Sequence, residues 1–133
     1  MRHSKLAPIL FSLVTCLCLG VQGVLAVSPQ DFPNTRPIPH VLDSAEILSR
    51  SSASAIEKGL KELGEDRLDA RLVTLRGLDY GYTLTTFGRK LIDQWKEPSA
   101  VSEAPLLLFL IEAQNSQSAI LADDSLINQL PES

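Results

Sequence analysis

The chain has 133 residues, with 12 Lys and Arg, 16 Asp and Glu, 44% hydrophobic residues and two cysteines. That length suits one compact domain. The acidic balance excludes a protein that coats nucleic acid through clustered basic side chains, and the ordinary hydrophobic fraction excludes a wholly disordered chain. Composition alone therefore predicts a small globular protein and names no activity.

The start of the chain has the pattern of a secretory signal peptide. Arg2 and Lys5 form a positive n-region, an apolar run covers residues 6–19, and Ala26 suits the last position before a cleavage site. We predict export, with residues 1–26 removed. The remaining chain then has 10 basic and 16 acidic residues, a net charge of −6, and no cysteine for a disulfide.

Two alternatives to a cleaved signal stay open. Residues 6–26 carry no charge and are about long enough to cross a bilayer as an uncleaved anchor. The two glycines that interrupt this segment and the proline-rich stretch after it favour cleavage. A lipoprotein site at Cys16 or Cys18 has less support, because Thr15 stands where a smaller residue usually precedes such a cysteine.

A proline-rich linker is predicted next, over residues 27–39, which contain four prolines. Proline at this density favours extended backbone and removes sheet donors. The segment is interpreted as a plain lead-in to the domain at residues 40–133, or as a tether that holds this domain away from a membrane.

The domain begins with a predicted helix that starts between Ser49 and Ser54 and ends at Gly64. Ser54 and Glu57 fit a capping box, and Glu57 and Lys61 form a favourable i, i+4 pair. Glycine suits the position that follows the end of a helix. The core-facing stripe consists of Ile56, Leu60 and Leu63.

A strand follows over Leu68–Leu75, where apolar and charged residues alternate before a more apolar end. A glycine-containing loop over Gly77–Tyr82 then leads to a second helix that begins near Thr83. The apolar face of this helix is formed by Leu84, Phe87, Leu91, Ile92 and Trp95.

The end of the chain predicts two more strands and a helical turn. Leu106–Ile111 has no polar member and suits a central strand buried on both faces, Ser118–Ala122 returns as its antiparallel partner, and a helical turn begins at Leu126–Leu130. The fold class is therefore α/β: a small sandwich with a mixed three-stranded sheet, in the order helix, strand, helix, strand, strand, helix.

The run from Leu72 to Gly81 resembles the first core strand and loop of TPM domains, above all the photosystem II repair branch in the thylakoids of cyanobacteria and plants. The resemblance continues through Thr83, Phe87, Leu91 and Trp95 and the strand Leu106–Ile111, and upstream through Val41-Leu42-Asp43 and Ile47-Leu48-Ser49. It covers residues 39–131.

The resemblance implies a membrane-associated protein of the thylakoid lumen or periplasm that assists repair or turnover of photosystem II. Its partners would be photosystem II subunits or assembly and repair factors, not nucleic acid. The alternative that the resemblance implies is a metal-dependent acid phosphatase that binds calcium. A non-catalytic accessory role is preferred, because the sequence predicts no catalytic residue: His40 is the only histidine outside the signal, and no nucleophile motif occurs.

Two departures from the family pattern bear on this activity. Residues 112–116 lack the basic residue that many TPM domains have after the buried strand, and residues 122–125 lack their glycines. The chain also reaches Ser133 near the point where relatives continue into further helices. We therefore expect a C-terminally shortened TPM domain, either as a shortened paralogue or through a truncated reading frame.

Four carboxylates near predicted strand ends are the candidate metal ligands: Asp43, Glu112, Asp123 and Asp124. Calcium requires several oxygen ligands at once, so three of these would have to converge. Asp123 and Asp124 could instead cap the following helix, and Asp43 could close a turn.

The candidate partner-binding residues are Asp79, Tyr80 and Tyr82, in the loop around Gly81. Aromatic side chains in a loop supply contact area at a low entropic cost. The alternative is that Gly77 and Gly81 serve only the geometry of the turn.

Overall fold

The computed structural model describes residues 26–96 and 104–128. Within these ranges the helices are α1 (Arg50–Glu65), α2 (Leu84–Trp95) and α3 (Asp124–Ile127). The strands are β1 (Ala26–Val27), β2 (Val41–Asp43), β3 (Asp69–Leu75), β4 (Gly77–Leu78), β5 (Leu106–Glu112) and β6 (Gln117–Ala122). All but the last residue of the predicted signal peptide lies outside the described residues. None of the described helices is long and apolar enough to cross a membrane.

The main sheet has four strands in the order β2-β3-β5-β6, and β1 and β4 form a separate parallel pair. In the main sheet β2, β3 and β5 are parallel, and β6 is antiparallel to β5. The α/β class, the parallel crossover and the final hairpin are thus confirmed. The predicted sheet of three strands lacked β2. This strand has only three residues, too few to show an alternating pattern in the sequence.

The strand β3 lies at the centre of the sheet and all seven of its residues are buried. The predicted alternation of Asp69 and Arg71 with apolar residues therefore does not mark a solvent face, because both charged side chains are buried as an ion pair. The neighbouring strand β5 is fully buried on only one face, since every second residue is partly exposed.

The two faces of the sheet are covered unequally. Helix α2 covers one face. The hydrophobic core between this helix and the sheet contains Val73, Leu75, Phe87, Leu91, Trp95, Leu106, Leu108 and Leu110. Full burial of each such side chain stabilises the fold by about 1.5–3 kcal/mol. Helix α1 packs on β2 and β3 of the other face. There Phe109 and Ile111 are half-buried and Ile120 is 69% exposed.

Helix α2 begins where the sequence predicts, with Thr83 as its N-cap, but the caps of α1 differ from the prediction. Its N-cap is Ser49, whose side chain accepts a hydrogen bond from the Ser52 N–H. The predicted capping box of Ser54 and Glu57 was wrong, because the Glu57 carboxylate accepts instead from the backbone N–H groups of His40 and Val41, at 2.9 and 2.8 Å.

The C-terminal end of α1 also lies beyond the predicted Gly64. The helix includes Glu65, and the left-handed position is taken by Arg67, with φ of 64°. Leu63, predicted to face the core, is 36% exposed. The predicted ion pair of Glu57 and Lys61 is confirmed at 3.7 Å.

The proline-rich segment 27–39, predicted as a linker, packs against the domain. Phe32 lies in the core and meets Phe87 edge to face, with ring centroids 5.7 Å apart. The indole N–H of Trp95 donates to the Pro33 carbonyl at 2.8 Å. The prolines leave carbonyls without sheet partners, and side chains of the domain use these carbonyls as acceptors.

Candidate functional site

The amino edge of the parallel strands holds a buried charge group, Arg36, Asp69 and Arg71, here called the amino-edge cluster. Asp69 lies between the two cations, with N–O distances of 3.1 Å to each. All three side chains are at most 5% exposed. Burial lowers the pKa of Arg71, and its pairing with Asp69 opposes that shift.

Backbone carbonyls accept hydrogen bonds from both arginines of this cluster, although Nη2 of Arg71 is buried without a hydrogen-bond partner in the described structure. Arg36 donates to the carbonyls of Trp95 and Ala104, at 2.8 and 2.9 Å. Arg71 donates to those of Pro37 and Pro39. The amino-edge cluster therefore fixes the lead-in segment to the sheet, and a structural role accounts for it.

Asp43, the first of the candidate metal ligands, lies at the carboxyl end of β2 and closes the turn that follows. Its carboxylate accepts from the Thr74 hydroxyl at 2.6 Å and from the N–H groups of Ile47 and Leu48, at 3.1 and 3.0 Å. Burial acts to raise its pKa, but these hydrogen bonds outweigh burial and hold the pKa below the ordinary value.

Asp123 and Asp124 lie at the opposite edge of the sheet, because antiparallel β6 ends beside the start of β5. Asp123 is the N-cap of α3 and accepts from the Ser125 N–H at 3.3 Å. Asp124 pairs with Arg89 at 3.9 Å. The capping interpretation is confirmed for Asp123, whereas Asp124 is the first residue of α3.

Glu112, the fourth candidate ligand, is at the same edge as Asp43 but on the other face. The register places Asp43 beside Thr74 and Glu112 beside Leu75, and successive residues of a strand point to opposite faces. The four carboxylates therefore do not converge, and no group of three candidate metal ligands occurs within residues 26–96 and 104–128. This donor set does not fit a calcium ion.

A different grouping forms at the carboxyl edge, in an open cleft with a volume of about 590 Å³. One wall is the segment from Leu78 to Leu84, and the other is the turn after β5, with Glu112, Gln114, Asn115 and Gln117. In open α/β sheets, ligands bind outside the carboxyl ends of the strands. We call this feature the carboxyl-edge cleft.

The loop at residues 79–82, here called the aromatic loop, is held by its backbone. Because β1 pairs with β4, the Asp79 N–H donates to the Val27 carbonyl at 2.9 Å. Gly81 has φ of 91°, which side chains disfavour. Gly77 allows the close approach of Gln114, whose Oε1 would lie 2.3 Å from an added Cβ.

The side chains of the aromatic loop differ in exposure. Tyr80 is 101% exposed, and nothing in the described structure covers it. Tyr82 is half-buried; its ring meets Phe87 edge to face, and the Lys90 ammonium lies 5.8 Å from its centroid. Asp79, Tyr80 and Tyr82 therefore share one wall of the cleft, and their contact with a partner stays a prediction.

Glu112 is buried in the other wall, with 1% of its surface exposed. Its Oε1 accepts from the Asn115 amide at 3.0 Å, while Oε2 has no hydrogen-bond partner. Such an unsatisfied acceptor costs about 1–3 kcal/mol. The sequence singled out Glu112 only as a metal ligand and missed Gln114, Asn115 and Gln117. Their signal was a polar cluster directly after a buried strand.

Comparison with known proteins agrees with this architecture. The family model of the TPM domain matches residues 41–133, so the chain belongs to the TPM domain family. The chain is also similar to the solution NMR structure of the N-terminal domain of a protein from P. gingivalis, with 22% sequence identity and a TM-score of 0.65. That match covers 81% of this chain and 70% of the other, and it shows the fold. No match was found among curated proteins.

Proposed function

We propose that this TPM-domain protein is a non-catalytic accessory protein that contacts a protein partner through the aromatic loop and the carboxyl-edge cleft. The observation that carries the proposal is Tyr80, a fully exposed aromatic side chain on a loop held by the hydrogen bond from the Asp79 N–H to the Val27 carbonyl. A large side chain on a fixed loop loses little entropy on binding, which favours contact residues of this kind.

We further propose that the partner belongs to photosystem II, as a subunit or as an assembly or repair factor. The support is the resemblance of residues 72–81, and of the helix and strand after them, to the photosystem II repair branch of the family. The apolar start of the chain supports a location in the thylakoid lumen or periplasm, with residues 1–26 removed. N-terminal sequencing of the protein from fractionated cells should then begin at Val27.

Site-specific cross-linking tests the contact. A photo-reactive amino acid replaces Tyr80 in one variant and Lys58, on the exposed surface of α1, in the control. In thylakoid membranes recovering from high light, position 80 should give a discrete cross-link to a photosystem II component, and position 58 should not. Equal cross-linking at the two positions, or none at position 80, would contradict the proposal.

The alternative, a metal-dependent acid phosphatase, has less support because Asp43 and Glu112 lie on opposite faces and Asp123 lies at the opposite edge. Hydrolysis of a phosphate monoester should be measured with calcium, magnesium and manganese, and with a chelator. Metal-dependent turnover that is lost in Asp43→Asn and kept in the surface control Asp66→Asn would favour the enzyme over the accessory protein.

A further inference from the structure

The charge of the carboxyl-edge cleft indicates what it can bind. Its lining includes two carboxylates, those of Asp79 and Glu112, and none of its lining residues is basic. The other polar groups are neutral: three side-chain amides from the turn after β5, and the hydroxyls of the two tyrosines and Thr83. The Lys90 ammonium lies beside this lining, over the Tyr82 ring, but the lining itself is negative, which favours a positively charged ligand.

The buried carboxylate of Glu112 supplies the second, independent observation. Only one of its oxygens has a partner, the Asn115 amide, although 99% of the residue is removed from solvent. A buried carboxylate is stabilised when a cation or several donors approach it. Oε2 is itself shielded from solvent, so a ligand with N–H donors would satisfy it only once the side chains that cover it move aside.

The ligand class follows from the remaining groups. A hard metal cation needs about six oxygen ligands that converge on one point, and of the two carboxylates here Asp79 is exposed while Glu112 is buried. A guanidinium group is planar, carries five donors and pairs with a carboxylate through two parallel hydrogen bonds. Its other donors would meet the carbonyl oxygens of the amides.

Aromatic side chains also suit such a cation. Guanidinium and ammonium groups bind over tyrosine faces, and the Tyr82 ring already has the Lys90 ammonium 5.8 Å from its centroid. Tyr80 has no such neighbour in the described structure and is entirely exposed beside the cleft. Its ring is therefore open to stack on an arriving side chain.

We propose that the carboxyl-edge cleft binds an arginine side chain of a partner polypeptide. Glu112 pairs with the guanidinium group, Tyr80 stacks against it, and Asp79 attracts the positive charge at the entrance. This inference rests on the proposed function and states the chemistry of the partner that the aromatic loop contacts.

The test is an NMR titration of the purified, ¹⁵N-labelled protein with three peptides that differ in one residue: acetyl-Gly-Arg-Gly-amide and its Lys and Gln counterparts. The Arg peptide should shift the side-chain amide signals of Gln114 and Asn115 saturably and bind several-fold more tightly than the Lys peptide. The Gln peptide should give no saturable shift.

Binding of the Arg peptide to variants of the protein tests which residues of the cleft hold the peptide. Glu112→Gln should weaken binding of the Arg peptide at least tenfold, while the control Glu62→Gln on exposed α1 should bind normally. Tyr80→Ala should weaken binding a few-fold. Glu112→Asp keeps the charge and should retain part of the affinity, so it decides the question if Glu112→Gln fails to fold in a thermal melt.

Two results would overturn the inference: no saturable shift with the Arg peptide, or equal affinity of Glu112→Gln and Glu62→Gln. Calcium chloride that shifts the same amides when the Arg peptide does not would also overturn it, in favour of a metal. If the cross-link from position 80 persists in Glu112→Gln, the proposed function stands without this inference. If Glu112-dependent arginine binding occurs without any cross-link to photosystem II, the inference stands and the proposed partner is wrong.

Discussion

The amino and carboxyl edges of the main sheet both contain buried charged side chains, but these side chains differ in how they are paired. At the amino edge, Asp69 lies between Arg36 and Arg71 and backbone carbonyls accept from both cations. At the carboxyl edge, Glu112 is equally buried but has an unpaired oxygen in the wall of an open cleft. Apart from the buried Nη2 of Arg71, the charge at the amino edge is paired and serves the fold, whereas the carboxyl edge has an unsatisfied acceptor in the wall of a cleft.

The lead-in segment explains much of this difference. It lies across the amino edge and supplies Arg36 and the carbonyls of Pro37 and Pro39. At the carboxyl edge, the pairing of β1 with β4 holds the aromatic loop to one side of the cleft and leaves Tyr80 exposed. One proline-rich segment thus closes one edge of the sheet and shapes the other.

The largest change in stability is expected when the charge of Asp69 is removed from the amino edge. Asp69→Asn removes the carboxylate that the two buried guanidinium groups share, so the free energy of unfolding should fall by about 3–5 kcal/mol. Urea denaturation measures the loss. The control Asp66→Asn lies on the exposed end of α1 and should change stability by less than about 0.5 kcal/mol. Equal effects would show that the amino-edge cluster does not depend on its pairing.

Phe32→Ala tests whether the lead-in belongs to the folded unit. Loss of this core ring and of its contact with Phe87 should cost about 3 kcal/mol of unfolding free energy. Ile38→Ala is the matched control in the same segment, because Ile38 is 80% exposed and its loss should be nearly neutral. If Phe32→Ala is as stable as Ile38→Ala, the segment is a linker as the sequence predicts.

Stability should also depend on pH through three groups around β2: Asp43 at its carboxyl end, and His40 and Glu57 at its amino end. The pKa values of Asp43 and Glu57 lie below their ordinary values of 3.8 and 4.5: burial alone would raise them, but hydrogen bonds received by the carboxylates outweigh it. Their stabilisation is present above those ordinary values and is lost as pH falls through the lower values of the folded state.

His40 acts in a higher pH range. Burial first, and then the charge of Arg71, lower its pKa below 6.5, so the folded state disfavours its protonated form. Stability should therefore decline as pH falls from about 6.5 toward the folded-state pKa. In chemical denaturation at a series of pH values, His40→Gln should flatten this upper part and Asp43→Asn the part below pH 4. An unchanged profile in both variants would contradict the assignment.

The smallest change in stability is expected for Glu112→Gln, which tests the carboxyl edge in the way that Asp69→Asn tests the amino edge. Glu112→Gln removes the same charge from a buried carboxyl as Asp69→Asn, but its Oε2 has no partner to lose. The Asn115 amide can still donate to the remaining oxygen. Unfolding free energy should change by no more than about 1 kcal/mol. A loss as large as that of Asp69→Asn would mean that Glu112 serves the fold and not a ligand.

Elements with a long apolar period were predictable from the sequence. Helix α2 begins after Thr83 and buries the predicted stripe through Trp95, and β5 and β6 form the predicted hairpin. These elements could be predicted because their apolar residues recur at a regular spacing along the chain, and that spacing can be recognised without knowledge of the fold. The strands β1, β2 and β4 have two or three residues each, too few for a period, and exist only through their partners.

The caps of α1 were predicted wrongly, and the burial of the charged residues of β3 was not predicted, for a related reason. Ser54 and Glu57 have the right spacing for a capping box, but Glu57 gains two backbone donors from the lead-in, which no local pattern shows. Asp69 and Arg71 look like a solvent face until Arg36 arrives from a segment more than thirty residues away.

The sequence by itself determined the α/β class, the position of the aromatic loop, and the order in which the long helices and strands follow one another along the chain. Only the tertiary structure decided which polar residues meet. It separated Asp43 and Asp123 from Glu112, and it brought Glu112 beside the aromatic loop because β3 and β5 are neighbours and Leu75 lies in register with Glu112. Periodicity is a property of adjacent residues, whereas a site depends on strand order and register, which are fixed when distant segments pack.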